Sequence, residues 1–268
     1  MQFSKWHGLG NDYLVVDTRD ATPTLTPARV RRICDYHLGV GSDGILEVVA
    51  TSGDGPAVSI LIWNPDGSVA EMSGNGTRIA ARWLAARTGA DDVRVVVGDL
   101  VVRARLRERL LVEQEMGLVR ARPLERIDVD GEEVELTPVS VGNPHAVVRR
   151  DPDRSELLRL GPLIERHPRF PDRTNVQLVR VDGRHAITVG VWERGAGETL
   201  SSGTSSCAAA AAAVANGWCE SPVEVSLPGG MLTVALDAEG RATLTGPAQE
   251  ICRGELAPEL LADLEPLA

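Results

Sequence analysis

The feature that most constrains this chain is a repeat at an offset of about 130 residues, found by laying the sequence over itself. Gly10-Asn11, followed by the apolar run Leu14-Val15-Val16, recurs as Gly142-Asn143 followed by Ala146-Val147-Val148. Trp63-Asn64-Pro65-Asp66-Gly67 recurs as Trp192-Glu193-Arg194-Gly195-Ala196, and Ser73-Gly74-Asn75 as Ser202-Gly203-Thr204. An alanine-rich stretch at 77–86 matches one at 207–215. Val93–Val97 and Val223–Leu227 both read as strands that run into the turn residues Gly98-Asp99 and Gly229-Gly230. Each match is weak alone; in one order and at nearly one offset they predict two related halves.

Each half reads as an α/β unit in which a strand leads to a first helix, a second strand ends in an irregular polar loop, and a Ser-Gly turn opens an alanine-rich helix before a closing β-hairpin. In the first half Thr26 can cap the first helix, Pro27 suits its first turn, and Gly39 follows its end. A shorter counterpart is expected near Gly161–His167. The polar stretch from Glu113 to Glu133 contains Gly117, Pro123 and Gly131 and carries the expected boundary. The division is therefore residues 1–117, joined by a short amphipathic C-terminal helix at about 256–268, and residues 118–255. Two such halves sharing a cleft would present similar groups to opposite sides of one ligand.

Composition removes several function classes. Lys5 is the only lysine and reads as part of the first strand, so a Schiff-base enzyme using pyridoxal phosphate is excluded. GxxxxGK[ST] does not occur, and the GxGxxG spacing of Gly39-Val40-Gly41-Ser42-Asp43-Gly44 follows a predicted helix instead of leading from a strand into one, which leaves nucleotide binding without a motif. The net charge of −10 argues against nucleic acid and anionic membrane as partners. Cys34, Cys207, Cys219 and Cys252 form no CxxC pair, and the five histidines have no ligand spacing. No apolar run is long enough for a membrane span, and the first residues lack a signal-peptide core. The expectation is a reduced, cytoplasmic protein with no metal and no cofactor, acting on a small molecule.

Ser73-Gly74 and Ser202-Gly203 each open a helix, where free N–H groups and the helix dipole favour an anion such as a carboxylate. Inverting an amino-acid α-carbon needs a base on one face and an acid on the other. Without metal or cofactor, the developing carbanion is stabilised by hydrogen bonds and dipoles at the carboxylate. Cysteine suits both proton-transfer roles, particularly at a helix N-terminus; serine is a far weaker acid and gives no useful base at neutral pH.

The segments His7-Gly8-Leu9-Gly10-Asn11-Asp12-Tyr13, Asn64-Pro65-Asp66-Gly67-Ser68, Glu71-Met72-Ser73-Gly74-Asn75-Gly76, Gly142-Asn143-Pro144-His145 and Glu193-Arg194-Gly195-Ala196-Gly197-Glu198-Thr199 resemble, in order and spacing, the signatures of the diaminopimelate epimerases. The resemblance covers nearly the whole chain. It implies an α/β (α+β) fold of two pseudo-symmetric halves, each a mixed or antiparallel sheet around a central helix, in a homodimer. It implies cofactor-independent conversion of LL- to meso-diaminopimelate, a step of lysine and peptidoglycan precursor synthesis. The family motif has cysteine where Ser73 and Ser202 stand here, so the resemblance implies that this chain is inactive as written. Engineered substitution and a natural paralogue with lost or changed chemistry both account for the serines.

Other roles carry over from the resemblance. Asn11, Asn64, Asn143, Asn175 and Arg194 would hold the non-reacting end of a diamino dicarboxylic acid, with Arg194 gripping its distal carboxylate through two parallel contacts. Glu193 would contact the distal amino group or support the site. Backbone groups of Gly74-Asn75 and Gly203-Thr204 would hold the carboxylate at the reacting centre, and His145 and Glu193 would assist the acid–base pair. Alternatives of the same fold are a racemase of another amino acid and a glutamate-based isomerase like those of phenazine biosynthesis. An alternative of another class is a catalytically dead amino-acid-binding protein.

Overall fold

A computed structural model describes residues 1–18, 24–52, 55–108 and 110–262 of the chain. It divides into two units, one formed by Met1–Gln114 with Pro247–Ala268 and the other by Glu115–Gly246.

The first unit runs β1 (Gln2–Gly8), β2 (Asn11–Asp17), α1 (Pro27–Cys34), β3 (Ile45–Ser52), β4 (Ala57–Trp63), β5 (Val69–Ala70), α2 (Gly74–Thr88), β6 (Asp92–Val97), β7 (Leu100–Leu106) and β8 (Leu111–Leu118). The first boundary falls inside β8. The second unit continues with β9 (Arg120–Ala121), β10 (Glu125–Val129), β11 (Glu132–Ser140), β12 (Pro144–Arg149), α3 (Arg154–Glu165), β13 (Asn175–Gly183), β14 (Ala186–Glu193), β15 (Gly197–Thr199), α4 (Gly203–Ala215), β16 (Val223–Leu227), β17 (Gly230–Leu236) and β18 (Arg241–Pro247). The chain then returns to the first unit through β19 (Gln249–Glu255) and α5 (Pro258–Ala262).

The pairing pattern is the same in both units. In the first, β2 and β3 are parallel, β3–β4 and β4–β5 antiparallel, β4 and β6 parallel, and β6–β7 and β7–β8 antiparallel. In the second, β12 and β13 are parallel, β13–β14 and β14–β15 antiparallel, β14 and β16 parallel, and β16–β17 and β17–β18 antiparallel. Each parallel pair is joined by a crossover that carries a helix, as parallel strands require.

The mixed sheet of each unit wraps one helix. Helix α2 is buried on nearly every side from Gly74 to Ala85, packing Ile79, Ala80, Trp83 and Leu84 against Val58, Ile60, Val93 and Val95. It stops at Gly89, whose left-handed φ of 72° lets its N–H reach the Ala85 carbonyl. Helix α4 is buried from Ser205 to Ala213, mostly through alanines whose small side chains let the surrounding strands approach on all sides. The outer helices α1 and α3 are amphipathic: Val30, Ile33 and Cys34 face inward from one, and Leu157, Leu160 and Ile164 from the other.

Three expectations from the sequence shift. The boundaries lie at 114/115 and 246/247, not at 117/118 and 255/256. The second moves because β19 pairs antiparallel with β1, from Gln2↔Glu255 to His7↔Gln249, and so belongs to the first unit. The counterpart helix expected near Gly161–His167 is α3, which starts at Arg154 after its cap, Asp153, and ends at Glu165. Gly161 is retained because a Cβ there would lie 2.7 Å from the Trp192 ring. The C-terminal helix is described as Pro258–Ala262, with Leu256 and Ala257 outside it; residues 263–268 of the expected segment lie outside the described residues.

Candidate active site

In the first unit the site is built at the N-terminus of α2. Ser73 caps the helix with an extended φ of −141°, and its Oγ accepts from the Gly76 N–H at 3.0 Å. The Tyr13 hydroxyl lies 3.1 Å from the same Oγ. Asn75 is buried and donates to Asn11 Oδ1 at 3.2 Å, while its own Oδ1 accepts from Arg78 at 2.7 Å. Asn11 in turn donates to Asp43 at 3.1 Å. Arg78 has no exposed surface and also donates to the Gly74 carbonyl at 3.2 Å, an arrangement that satisfies a buried guanidinium near the helix start.

Asn11 is delivered by a two-residue hairpin. Gly8 and Asn11 pair across it, and both central residues, Leu9 and Gly10, have positive φ, 57° and 86°. Strand alternation then puts Asn11 and Tyr13 on the same face of β2, and both reach the start of α2. Asn64 does something else: its carboxamide donates to Ser68 Oγ at 2.9 Å, and its backbone N–H bonds the Ser68 carbonyl at 2.8 Å, closing its own loop.

In the second unit the corresponding group surrounds the N-terminus of α4. Ser202 caps it with φ −147°, and its Oγ donates to Glu193 Oε2 at 3.2 Å and lies 3.5 Å from the Ser205 N–H. Gly203 and Thr204 form the first turn. Desolvation pushes the Glu193 carboxyl above its usual pKa, against the lowering effect of hydrogen bonds from Thr199 and Ser202.

His145 is 1% exposed and hydrogen-bonded at both ring nitrogens. Its Nδ1 faces the Gln177 amide nitrogen at 3.1 Å and its Nε2 faces Asn143 Oδ1 at 2.9 Å. A donating Gln177 amide makes Nδ1 the acceptor and leaves the proton on Nε2, directed at Asn143. Burial pushes the imidazole down to about 3, so it is neutral at physiological pH. Gln177 also donates to Ser205 at 3.0 Å, which ties His145 to the second residue beyond the start of α4.

Asn175 spans the base of the adjoining loop, donating to the Pro144 carbonyl at 3.0 Å and accepting from the Arg194 N–H at 2.9 Å. The exposed Arg194 guanidinium donates to the Asp172 carbonyl at 3.1 Å. Buried Glu165 anchors the same loop: it accepts from Trp192 Nε1 at 2.7 Å and from the Gly195 N–H at 3.1 Å.

Of the residues expected from the sequence, Asn11, Ser73, Gly74 and Asn75 therefore meet in the first unit. Asn143, His145, Asn175, Glu193, Arg194, Ser202, Gly203 and Thr204 gather in the second, and Asn64 is occupied within its turn. Tyr13, Asp43, Arg78, Glu165 and Gln177 were not singled out. Tyr13 and Gln177 carried a detectable signal, since each lies two residues along a strand from an expected residue, Asn11 or Asn175, on the same face. Chemically, each unit offers a side-chain oxygen at a helix N-terminus, with adjacent N–H donors suited to an anion and one neighbouring acid.

The fold recurs in solved proteins of low sequence identity. It matches a hydroxyproline epimerase from Agrobacterium vitis, 17% identical, with a TM-score of 0.70 over 95% of this chain and 91% of that one. It also matches a phenazine biosynthesis protein of Bacillus anthracis, 14% identical, with a TM-score of 0.73 over 96% and 99%. A sequence model of diaminopimelate epimerase matches residues 3–120 and 137–251. A diaminopimelate epimerase from Ectopseudomonas mendocina (strain ymp) is 39% identical over 96% of this chain and 99% of its own length. Another, from Pseudomonas fluorescens, is 38% identical over the same shares. The chain belongs to the diaminopimelate epimerase family and is an isomerase by membership.

Proposed function

We propose that the chain is a diaminopimelate epimerase scaffold that binds LL- and meso-diaminopimelate without cofactor and is disabled at both proton-transfer positions by serine. The observation that carries this reading is that Ser73 and Ser202 cap the two central helices, each with its Oγ at an N-terminus. A thiol there would be acidified by the helix dipole, whereas an alcohol stays protonated at neutral pH and removes no α-proton. With cysteine at both positions, one thiolate takes the α-proton and the other thiol returns one to the opposite face. The reading thus requires one substrate to be served by both positions.

The neighbours divide the remaining work. The N–H groups at the starts of α2 and α4 suit the carboxylate at the reacting carbon. Arg194, set by Asn175, and the carboxamides of Asn11 and Asn143 suit the distal amino acid end. Neutral His145 acts by aligning Asn143 rather than by carrying a proton, since both its nitrogens are engaged and burial keeps it uncharged. Asn64 acts through the loop it closes. The repeated order and pairing of the two units support an origin by internal duplication. A homodimer in the cytoplasm is the assembly and location that fit the family; among the described residues no helix is long and apolar enough to cross a membrane.

The test is exchange of the α-proton of LL-diaminopimelate in heavy water, followed by NMR, for this chain and for Ser73→Cys/Ser202→Cys. Binding by both, with exchange and meso product only from the double variant, is the expected result. A double variant that binds but never exchanges overturns the epimerase assignment; exchange by the serine chain overturns its disablement.

A further inference from the structure

The two helix caps meet chemically opposite partners. At position 202 the Oγ gives its proton to a carboxylate oxygen of Glu193, with the Ser205 N–H at the outer limit of hydrogen bonding, 3.5 Å. At position 73 the Oγ receives the Gly76 N–H at 3.0 Å and stands 3.1 Å from a phenol, itself able to donate. Both caps receive a backbone N–H, but the second partner is a carboxylate acceptor at position 202 and a phenol able to donate at position 73.

We propose that Tyr13 is the positioning residue for the acid/base group at position 73, its phenol joining the Gly76 N–H to hold that side chain and to stabilise negative charge on it. Tyr13 is fixed for this purpose. It is 6% exposed and sits on β2, whose backbone pairs with β1 at Trp6. A Cβ at Gly44 would lie 2.8 Å from its ring, so a glycine there leaves the ring its place and the chain beneath limits its movement. Asn11, one step along the same strand face, holds Asn75 in the next position but one of the same helix turn. The strand thus sets both the capping group and the first turn of α2. A negatively charged group at position 73 gains two convergent donors, whereas one at position 202 faces a carboxylate. In the cysteine form, the thiolate accordingly rests at position 73 and the proton at position 202.

The inference depends on position 73 being an acid/base position, but its test uses no substrate, so it stands or falls separately from diaminopimelate as ligand. Ser73→Cys and Ser202→Cys are made singly in a Cys252→Ser background, because Cys252 is the exposed thiol among the native four. The pH dependence of iodoacetamide alkylation is read at the new cysteine by peptide mass spectrometry. The position 73 thiol reacts with a lower midpoint than the position 202 thiol. Tyr13→Phe raises the midpoint at position 73 by about one pH unit, a tenfold loss of thiolate below it, and leaves that at position 202 unmoved. A midpoint at 73 that Tyr13→Phe does not raise overturns the role of the phenol. The reverse order of the two thiols overturns it as well, and needs no change at Tyr13.

Discussion

Glu165→Ala tests whether one buried carboxylate holds the loop that carries Arg194. Glu165 is 2% exposed and accepts from Trp192 Nε1, from the Gly195 N–H and from Arg173. The Arg173 partner is half exposed, so that ion pair contributes little. The Trp192 indole loses its acceptor in a partly buried setting, which costs about 1–3 kcal/mol. The void left by the side chain brings the total to about 2–4 kcal/mol. Glu165→Gln keeps an acceptor oxygen and should cost about half as much. Equilibrium urea unfolding followed by tryptophan fluorescence reads these costs as midpoint shifts at constant slope, and Trp192→Phe leaves four of the five tryptophans as signal. In a double-mutant cycle, Glu165→Ala should cost clearly less in the Trp192→Phe background. An undiminished cost there refutes the anchoring argument. Burial pushes the Glu165 carboxyl up, but hydrogen bonds from Trp192 and Gly195 and the nearby Arg173 and Arg166 outweigh it and leave it below its ordinary pKa. Its contribution is therefore present above the unfolded value of about 4.3 and is lost as pH falls through the lower folded value.

His145 titrates near 6.5 when unfolded and near 3 when folded, so unfolding takes up a proton across that window. Stability should fall by about 1.4 kcal/mol for each pH unit below 6.5 from this group alone, and His145→Gln should make the acid slope of the urea midpoint shallower; parallel slopes would count against it. Glu193 has the opposite sign, with its folded pKa raised, so its contribution is full below about pH 4.3 and is lost as pH rises through the folded value. Glu193→Gln should therefore unfold at higher urea than the parent at pH 7, with the gain fading toward pH 4; an equal gain at both pH values would sink the idea.

Local chemistry was the legible part of this chain. The capping serines, Thr26 with Pro27, and the alanine-rich helices are decided by near neighbours, and all lie where the sequence puts them. Helix α3 begins before the segment expected from the sequence, because its start depends on Asp153 and its interior Gly161 answers to Trp192, far along the chain. The unseen site residues other than Arg78, whose partners Gly74 and Asn75 are local, share that property. Tyr13 meets Ser73 across 60 residues, Glu165 meets Trp192 across 27, and Gln177 meets His145 across 32. Asn64 resembled a ligand residue by its motif, but its nearest partner, Ser68, claims its carboxamide for a turn.

The return of β19 to β1 has a consequence for a chain that emerges from the ribosome end first. Every strand of the second unit is contiguous, whereas the first unit is split, and the strand that covers the outer edge of β1 follows the whole of the second unit. During translation the Gln2–Gly8 edge therefore stays unpaired on that side until some 250 residues have been made, long after the rest of its own sheet is available. Vectorial synthesis would let the later half mature first, and a nascent chain stalled before Gln249 would carry a ready acceptor for a foreign strand.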